Sequence, residues 1–318
     1  MKIAVLTSGG DAPGMNACIR AVARTSIYLG IDVYGVRMGY NGLIADDMYK
    51  MNVSSVADII HRGGTILGTA RSDEFMTEEG QKIAAENLLK RGINGLVVIG
   101  GDGTLTGASK LLNKGINVVA IPATIDNDLG YTDYTIGFMT ATETIVDAIS
   151  KLRDTSSSHG RANVLEVMGR NCGDLALTAG LAGGAETIIV PEIPFDVDKM
   201  VEKAVSGIKR GKRHHIIVVA EGAASAYDIS KELQNKAGIE TRETVLGHVQ
   251  RGGMPTVFDR LMASRMGNIA VKLLSNNRTN IALGLKCNEI VKLDIDSALN
   301  IPKRIDQEIF EIADILSI

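Results

Sequence analysis

Tryptophan is absent from this 318-residue chain and aromatic residues make up only 4% of it, which argues against a platform for stacking nucleic-acid bases. A large excess of either charge is also missing. The net charge is −3, too small to draw the protein to nucleic acid or to an anionic membrane. Cysteine is scarce: Cys18, Cys172 and Cys287 are odd in number, far apart and without CxxC spacing. That pattern excludes a disulfide framework and reads as reduced thiols in a cytoplasmic protein. No apolar run approaches the roughly 18 residues of a membrane span. Low-complexity tracts and short-period repeats are likewise missing. The opening "MKIAVLT" runs straight into "SGGD", so a first strand is expected there in place of a signal peptide.

What is present is an alternation of short β-branched runs with helix-period segments. "KIAVLT" precedes a helical stretch from Pro13 to about Leu29, then "IDVYGV" follows. "GLVVIGG" and "NVVAIPAT" bracket a helix expected to open near Thr104, and "ANVLEVMG", "ETIIVPE" and "HHIIVVAEG" come later. Nearly continuous apolar strands separated by helices imply parallel sheets covered on both faces. The number of βα units suffices for two sheets, linked by a helix from about Thr140 to Asp154, with "SSSHG" after it reading as loop.

In such sheets ligands bind at the carboxyl ends of the strands, and the informative motifs fall there. In "LTSGGDAPGMN", Gly9 and Gly10 admit a ligand close to the backbone, Asp11 can cap the helix, and Pro13 suits its first turn. The same loop also suits a plain capped turn. "VVIGGDGTLTG" is sharper: Gly101 and Gly103 let phosphates approach, Thr104 offers a hydroxyl, and Asp102 can hold Mg2+ beside them. It matches neither GxGxxG nor GxxxxGK[ST].

"VVAIPATIDNDLG" places Asp126 and Asp128 one residue apart after Thr124 and Ile125. On an extended segment they share a side. Phosphoryl transfer to a hydroxyl needs a base for the proton, a metal for phosphate oxygens and cations for spreading charge. An Asx-rich turn with both acids in water is the alternative. Cations at other loop ends favour the first: Arg71 in "GTARSDEF", His159, Arg161 and Arg170 in "SSHGRANVLEVMGRNCGD", and Arg242, His248 and Arg251 in "ETRETVLGHVQRGG".

Taken in order, "TSGGDAPGMNA", "RGGTILGTAR", "GGDGT", "TIDND", "EVMGR", "GAETIIVPE" and "VLGHVQRGG" make the sequence resemble the bacterial ATP-dependent 6-phosphofructokinases over essentially its whole length. The resemblance implies an α/β fold of two α/β/α sandwich domains with mainly parallel sheets. It puts ATP on residues 1–138 and 251–301, and fructose 6-phosphate on 139–250 and 302–318. It implies a cytoplasmic homotetramer that phosphorylates fructose 6-phosphate at O1 with Mg2+, an allosterically regulated, committed step of glycolysis.

By motif, Asp126 would take the O1 proton, while Asp102 and Asp128 would manage Mg2+. Gly10, Arg71, Ser72, Gly101, Asp102, Gly103 and Thr104 would hold ATP. Gly10, Arg71, Thr124 and Arg170 would surround the transferring phosphoryl. Met168, Gly169 and Arg170 would line the sugar beside Thr124 and Ile125, with Glu221 on its hydroxyls. Arg242 and His248 would bind the 6-phosphate, joined by Arg161 from a neighbouring subunit and by Val249, Gln250 and Arg251.

A second cation set, Arg20, Arg24, Arg153, Arg210, Lys212, Arg213 and His214, would bind ADP or phosphoenolpyruvate as effector, with Gly184, Ala185 and Glu186 on its nucleotide and metal. Ser72-Asp73 and "NVSSVAD" depart from the family's commoner residues. The rival readings are a pyrophosphate-dependent enzyme of the same fold, a catalytically silent metabolite sensor, and an NAD or lipid kinase sharing GGDGT. Gly103 and Ala123 stand where pyrophosphate enzymes carry Asp and Lys.

Overall fold

The computed structural model describes residues 1–317. The chain begins β1 (Lys2–Thr7), α1 (Met15–Tyr28), β2 (Asp32–Val36), α2 (Tyr40–Ile44), β3 (Met48–Lys50), α3 (Glu78–Lys90) and β4 (Gly95–Gly100). It continues through α4 (Asp102–Leu112), β5 (Asn117–Thr124), the two-residue β6 (Ile136–Gly137) and the long α5 (Phe138–His159). Next come β7 (Ala162–Val167), α6 (Asp174–Gly183), β8 (Thr187–Ile189), α7 (Val197–Lys209), β9 (His215–Ala220), α8 (Ala226–Ala237) and β10 (Thr241–Val245). α9 (Val257–Ser275), β11 (Ile281–Lys286), β12 (Glu289–Asp294), α10 (Ile295–Leu299) and α11 (Gln307–Leu316) complete it.

These elements form two compact units. The first comprises Met1–Ile125, Leu129–Thr140 and Arg251–Pro302; the second comprises Asp126–Asp128, Ala141–Gln250 and Lys303–Ile318. The first unit's sheet runs β12-β11-β5-β4-β1-β2-β3, with β6 beside β5. Its pairings are parallel except β2–β3 and β11–β12, which are antiparallel and form the two edges. The second unit's sheet, β10-β7-β9-β8, is parallel throughout.

The apolar runs explain both sheets. In β1 the even positions Ala4 and Leu6 join Val98, Ala120, Leu88 and Leu105 in one core against α3 and α4. Ile3 and Val5 are fully buried on the opposite side, where α1 and α9 pack. Both faces are therefore dry, as continuous apolar strands require. Gly267 of α9 lets α1 approach closely: a Cβ there would lie 2.8 Å from Ala21 Cβ and 2.9 Å from Cys18 O. In the second unit Val164, Ile217 and Val219 meet Val201, Ala204 and Leu233 in a separate core, with α6 on the other face.

Local details depart from the sequence expectations. Asp11 does not cap α1; the cap is Gly14, in a left-handed conformation with no side-chain hydrogen bond, and the helix opens at Met15. α4 opens at Asp102, two residues before Thr104. α5 runs to His159, so "SSSH" is helix and not loop. Two of its serines turn their hydroxyls back onto the preceding turn, Ser156 to Leu152 O at 2.6 Å and Ser158 to Asp154 O at 3.0 Å, while Ser157 Oγ lies 3.0 Å from His214 Nδ1. That back-bonding satisfies Ser156 and Ser158 inside the helix.

Candidate active site

In the first unit the glycine loops after β1 and β4 meet. The Thr104 hydroxyl donates to Ser8 O at 3.0 Å, its N–H bonds Gly101 O at 3.0 Å, and its carbonyl accepts the Tyr40 hydroxyl at 2.5 Å. Thr104 thus ties one loop to the other, which corrects the expectation that its hydroxyl is offered to a phosphate. Gly100 makes the junction possible, because a Cβ there would lie 2.3 Å from Thr104 Oγ1 and 2.5 Å from Ser8 O. Gly101 caps α4 without a side-chain bond, leaving the helix's opening N–H groups and positive dipole end facing outward. Asp102 is exposed in that first turn. Nothing lies within 4 Å of a Cβ placed on Gly103, so the space over the helix end is open.

Thr124 ends β5 against this loop, its Cβ 3.5 Å from a Cβ position on Gly101. Arg251 lies on the glycine loop of the same unit: its Nη1 donates to Asp11 O at 3.2 Å and would stand 2.5 Å from a Cβ at Gly10. Thr69 donates to Gly9 O at 2.7 Å, pinning the segment that carries exposed Arg71. Ser72 uses its hydroxyl locally, accepting the Phe75 N–H at 3.2 Å, and Phe75 stacks on Tyr40 with ring centroids 4.0 Å apart. Thr69 and Tyr40 are the residues the motifs did not flag.

In the second unit a cluster gathers beyond the carboxyl ends of β7 and β9, whose last residues Val167 and Ala220 pair. The Asp126 side chain is 2% exposed, and its Oδ2 lies 3.3 Å from Arg170 Nε. Asp126 is therefore not an acid left in water. The segment is also not extended, because Asn127 stands at φ 52°. This overturns the geometric reason for expecting Asp126 and Asp128 to share a side. Arg170 is itself left-handed, at φ 53°, and Glu221 Oε1 accepts its N–H at 2.9 Å. A Cβ on Gly222 would come 2.0 Å from Arg170 O, so only glycine fits there. Gln250, fully buried, accepts the Met168 N–H at 3.1 Å. Gln250 supports the loop, where the sequence expectation had it touching substrate, while His248 and Val249 beside it are exposed.

Arg161 and Arg242 fall elsewhere in this unit. Both pair with Glu240, at 3.0 and 2.9 Å, at the starts of β7 and β10, where Arg242 is paired in register with Asn163. Six-residue β7 separates Arg161 from Arg170 by about 20 Å of strand. Arg242 therefore lies beside Arg161, and the rest of five-residue β10 runs between it and His248.

The second cation set is partly assembled. Arg153 donates to Gly183 O and Gly184 O at 2.5 and 2.7 Å. Glu186, 5% exposed, accepts the Ile216 N–H at 2.7 Å and faces Lys212 at 3.5 Å and His214 at 3.6 Å. Arg210 bonds Ser206 at 3.0 Å, while Arg20 and Arg24 belong to α1 of the first unit. A cavity of ≈ 280 Å3 between β8, α7 and α11 reaches Ala185 and Glu186 but none of the phosphoryl-transfer candidates.

Comparison with known proteins identifies the family. A family model described as phosphofructokinase matches residues 2–274. An ATP-dependent 6-phosphofructokinase of Finegoldia magna is 61% identical over 316 residues, 99% of each chain. That of Clostridium tetani is 60% identical over the same span and coverage. Among solved structures, phosphofructokinase from Saccharomyces cerevisiae superposes with a TM-score of 0.90 at 38% identity, over 99% of this chain and 47% of the yeast chain. The chain thus spans about half the length of that yeast chain. A pyrophosphate-dependent phosphofructokinase from Marinobacter aquaeolei shares the fold, with a TM-score of 0.88 at 22% identity over 96% of this chain and 86% of its own.

Proposed function

The chain belongs to the phosphofructokinase family, and from that premise we propose that it transfers the γ-phosphoryl of ATP to O1 of fructose 6-phosphate. The product is fructose 1,6-bisphosphate, the committed step of glycolysis. The observation that carries the reading is Asp126: a carboxylate 2% exposed, beyond the end of β5, with the Arg170 guanidinium at 3.3 Å and 54% exposed. In this reading the carboxylate accepts the O1 proton and the guanidinium meets the phosphoryl charge as it spreads.

The remaining roles follow the two units. The open helix end at Gly101–Asp102, with Gly103, suits the ATP phosphates, and Arg71 reaches from the segment pinned by Thr69. The Arg170–Glu221 loop suits the sugar, and His248 its 6-phosphate. Arg161 and Arg242, grouped at the far end of β7, serve the 6-phosphate of a neighbouring copy in a homotetramer. Among the described residues no group of three or more His, Cys, Asp and Glu side chains forms a metal cage. Mg2+ is held by one or two carboxylates together with substrate phosphates, and exposed Asp102 beside the open space over Gly103 suits that role. Asp102 and Asp128 are the candidates, and the ion supplies neutralisation of phosphate charge. ADP and phosphoenolpyruvate at the Arg153–Glu186–Lys212 cluster are the proposed effectors. No helix among the described residues is long and apolar enough to cross a membrane, and the proposed location is the cytoplasm.

ATP is favoured over pyrophosphate as donor by Gly103 and Ala123, neither of which carries the charge expected of a pyrophosphate enzyme. A silent sensor is disfavoured because the acid and its arginine are both present and paired. The test is Asp126→Ser, which keeps a small polar side chain and removes the base. Loss of a general base costs roughly 10²–10⁴ in rate, so kcat falls at least that far while KM for both substrates changes little. Near-normal turnover in this variant contradicts the assignment.

A further inference from the structure

The segment that carries Asp126 is fixed from outside the motif. Asn127, 2% exposed, stands in the left-handed region at φ 52°, which asparagine tolerates better than most residues. Its Nδ2 donates to Asp174 Oδ2 at 2.9 Å. That same oxygen receives Lys303 Nζ at 2.6 Å, with the two side chains only 18% and 14% exposed. Asp174 opens α6, where a carboxylate is favoured by the helix dipole. Lys303 is the first residue of the chain's return into the second unit. A cation, a carboxylate and an amide thus form one chain that ends on the residue between Asp126 and Asp128.

We propose that Lys303 is a positioning residue for the phosphoryl transfer, acting through Asp174 and Asn127 to hold the Asp126 carboxylate in register. The proposal rests on the reading of Asp126 as base. The physical ground is the low tolerance of proton transfer for misplacement, since a shift of about 1 Å costs on the order of 10²-fold. Without Lys303, the largely buried Asp174 side chain loses its cation, and the Asn127 amide loses a fixed anchor. The left-handed turn then relaxes by the amount its neighbours allow. A plain structural staple predicts something else, a loss of stability with activity following in proportion.

The experiment compares Lys303→Met, Lys303→Arg, Asn127→Gly and Asp126→Ser, and combines Lys303→Met with Asp126→Ser. Measured are kcat, KM for both substrates and the thermal midpoint. Lys303→Met is expected to lower kcat by ~10-fold or more with each KM within about threefold, and Lys303→Arg to restore most of it. Asn127→Gly keeps the left-handed backbone but removes the link, so it shows the same kcat loss even where Lys303→Met does not fold. In the Asp126→Ser background Lys303→Met produces no further fall, because its effect passes through that carboxylate. Unchanged kcat in Lys303→Met or in Asn127→Gly overturns the proposal. So does an equal fold-loss of kcat with and without Asp126. Near-normal turnover of Asp126→Ser alone removes the base reading and the relay with it, whereas an inactive Asp126→Ser beside a fully active Lys303→Met removes the relay only.

Discussion

Acidification is expected to destabilise the second unit through His215. This imidazole opens β9, is 3% exposed, and has Thr187 Oγ1 3.3 Å from its Nε2. Burial disfavours its charged form and lowers its pKa to about 4; Glu186 pulls the other way, and Lys212, Lys203 and His214 add to the lowering. Unfolded histidine titrates near 6.5. Between those two values the unfolded chain binds the proton and the folded one does not, so stability is complete above about pH 6.5 and is lost as pH falls toward 4. At ~1.36 kcal/mol per pKa unit the full loss is about 3 kcal/mol, of which about 2 arises between pH 7 and 5. Urea titrations at pH 7 and 5 of wild type and His215→Gln measure it: the variant lacks this titration, so the wild type loses about 2 kcal/mol more than the variant over that interval. Proton NMR gives the site directly, since one of the five histidines keeps its neutral shift until near pH 4. Equal pH slopes, or five histidines all titrating above pH 6, refute the reasoning.

Asp259 is fully buried and accepts from Gly137 N at 2.8 Å, Thr140 N at 2.9 Å and the Thr140 and Thr256 hydroxyls at 2.5 and 3.2 Å. Asp259→Ala leaves at least two backbone donors without an acceptor, at ~1–3 kcal/mol each. A urea denaturation showing a loss under about 1 kcal/mol contradicts that count. Gly103→Asp meets no neighbour within 4 Å of its Cβ, so the thermal midpoint holds. Its charge at the α4 end raises KM for ATP by ~10-fold or more, about 1.4 kcal/mol; an unchanged KM places the phosphates elsewhere. Phosphoenolpyruvate is expected to weaken fructose 6-phosphate binding and ADP to oppose it, with both effects lost in Arg210→Ala combined with Arg213→Ala. Saturation curves of the wild type that ignore both ligands at millimolar concentration leave these arginines as surface charge.

The strands and their order of chemistry were legible because a sheet dry on both faces demands unbroken apolar runs, and "GLVVIG" and "HIIVVA" are such runs. The glycine loops were legible for a related reason, since only glycine lets two loops approach as Gly100 and Ser8 do. Hidden from the sequence were features decided by long-range partners. A hydroxyl beside a glycine loop looks available until Ser8, nearly a hundred residues away, claims the one on Thr104. Serine clusters look like loop because they compete for backbone bonds, yet in α5 Ser156 and Ser158 return those bonds to the helix itself. Asp126 and Asp128 look as if they share a side until Asn127 turns left-handed, with its amide on Asp174 far along the chain. That Arg161 and Arg242 share Glu240 at one end of the sheet needed the pairing of β7 with β10. The antiparallel edges β3 and β12 were short or amphipathic and left no apolar run to detect.

The central claim is that this chain moves the γ-phosphoryl of ATP to O1 of fructose 6-phosphate. The purified protein, supplied with fructose 6-phosphate, Mg2+ and either ATP or pyrophosphate, is followed by phosphorus NMR for fructose 1,6-bisphosphate. The account predicts the bisphosphate and ADP in equal amounts with ATP, and a rate with pyrophosphate lower by orders of magnitude. Equal rates with the two donors, or no bisphosphate with ATP, contradict it.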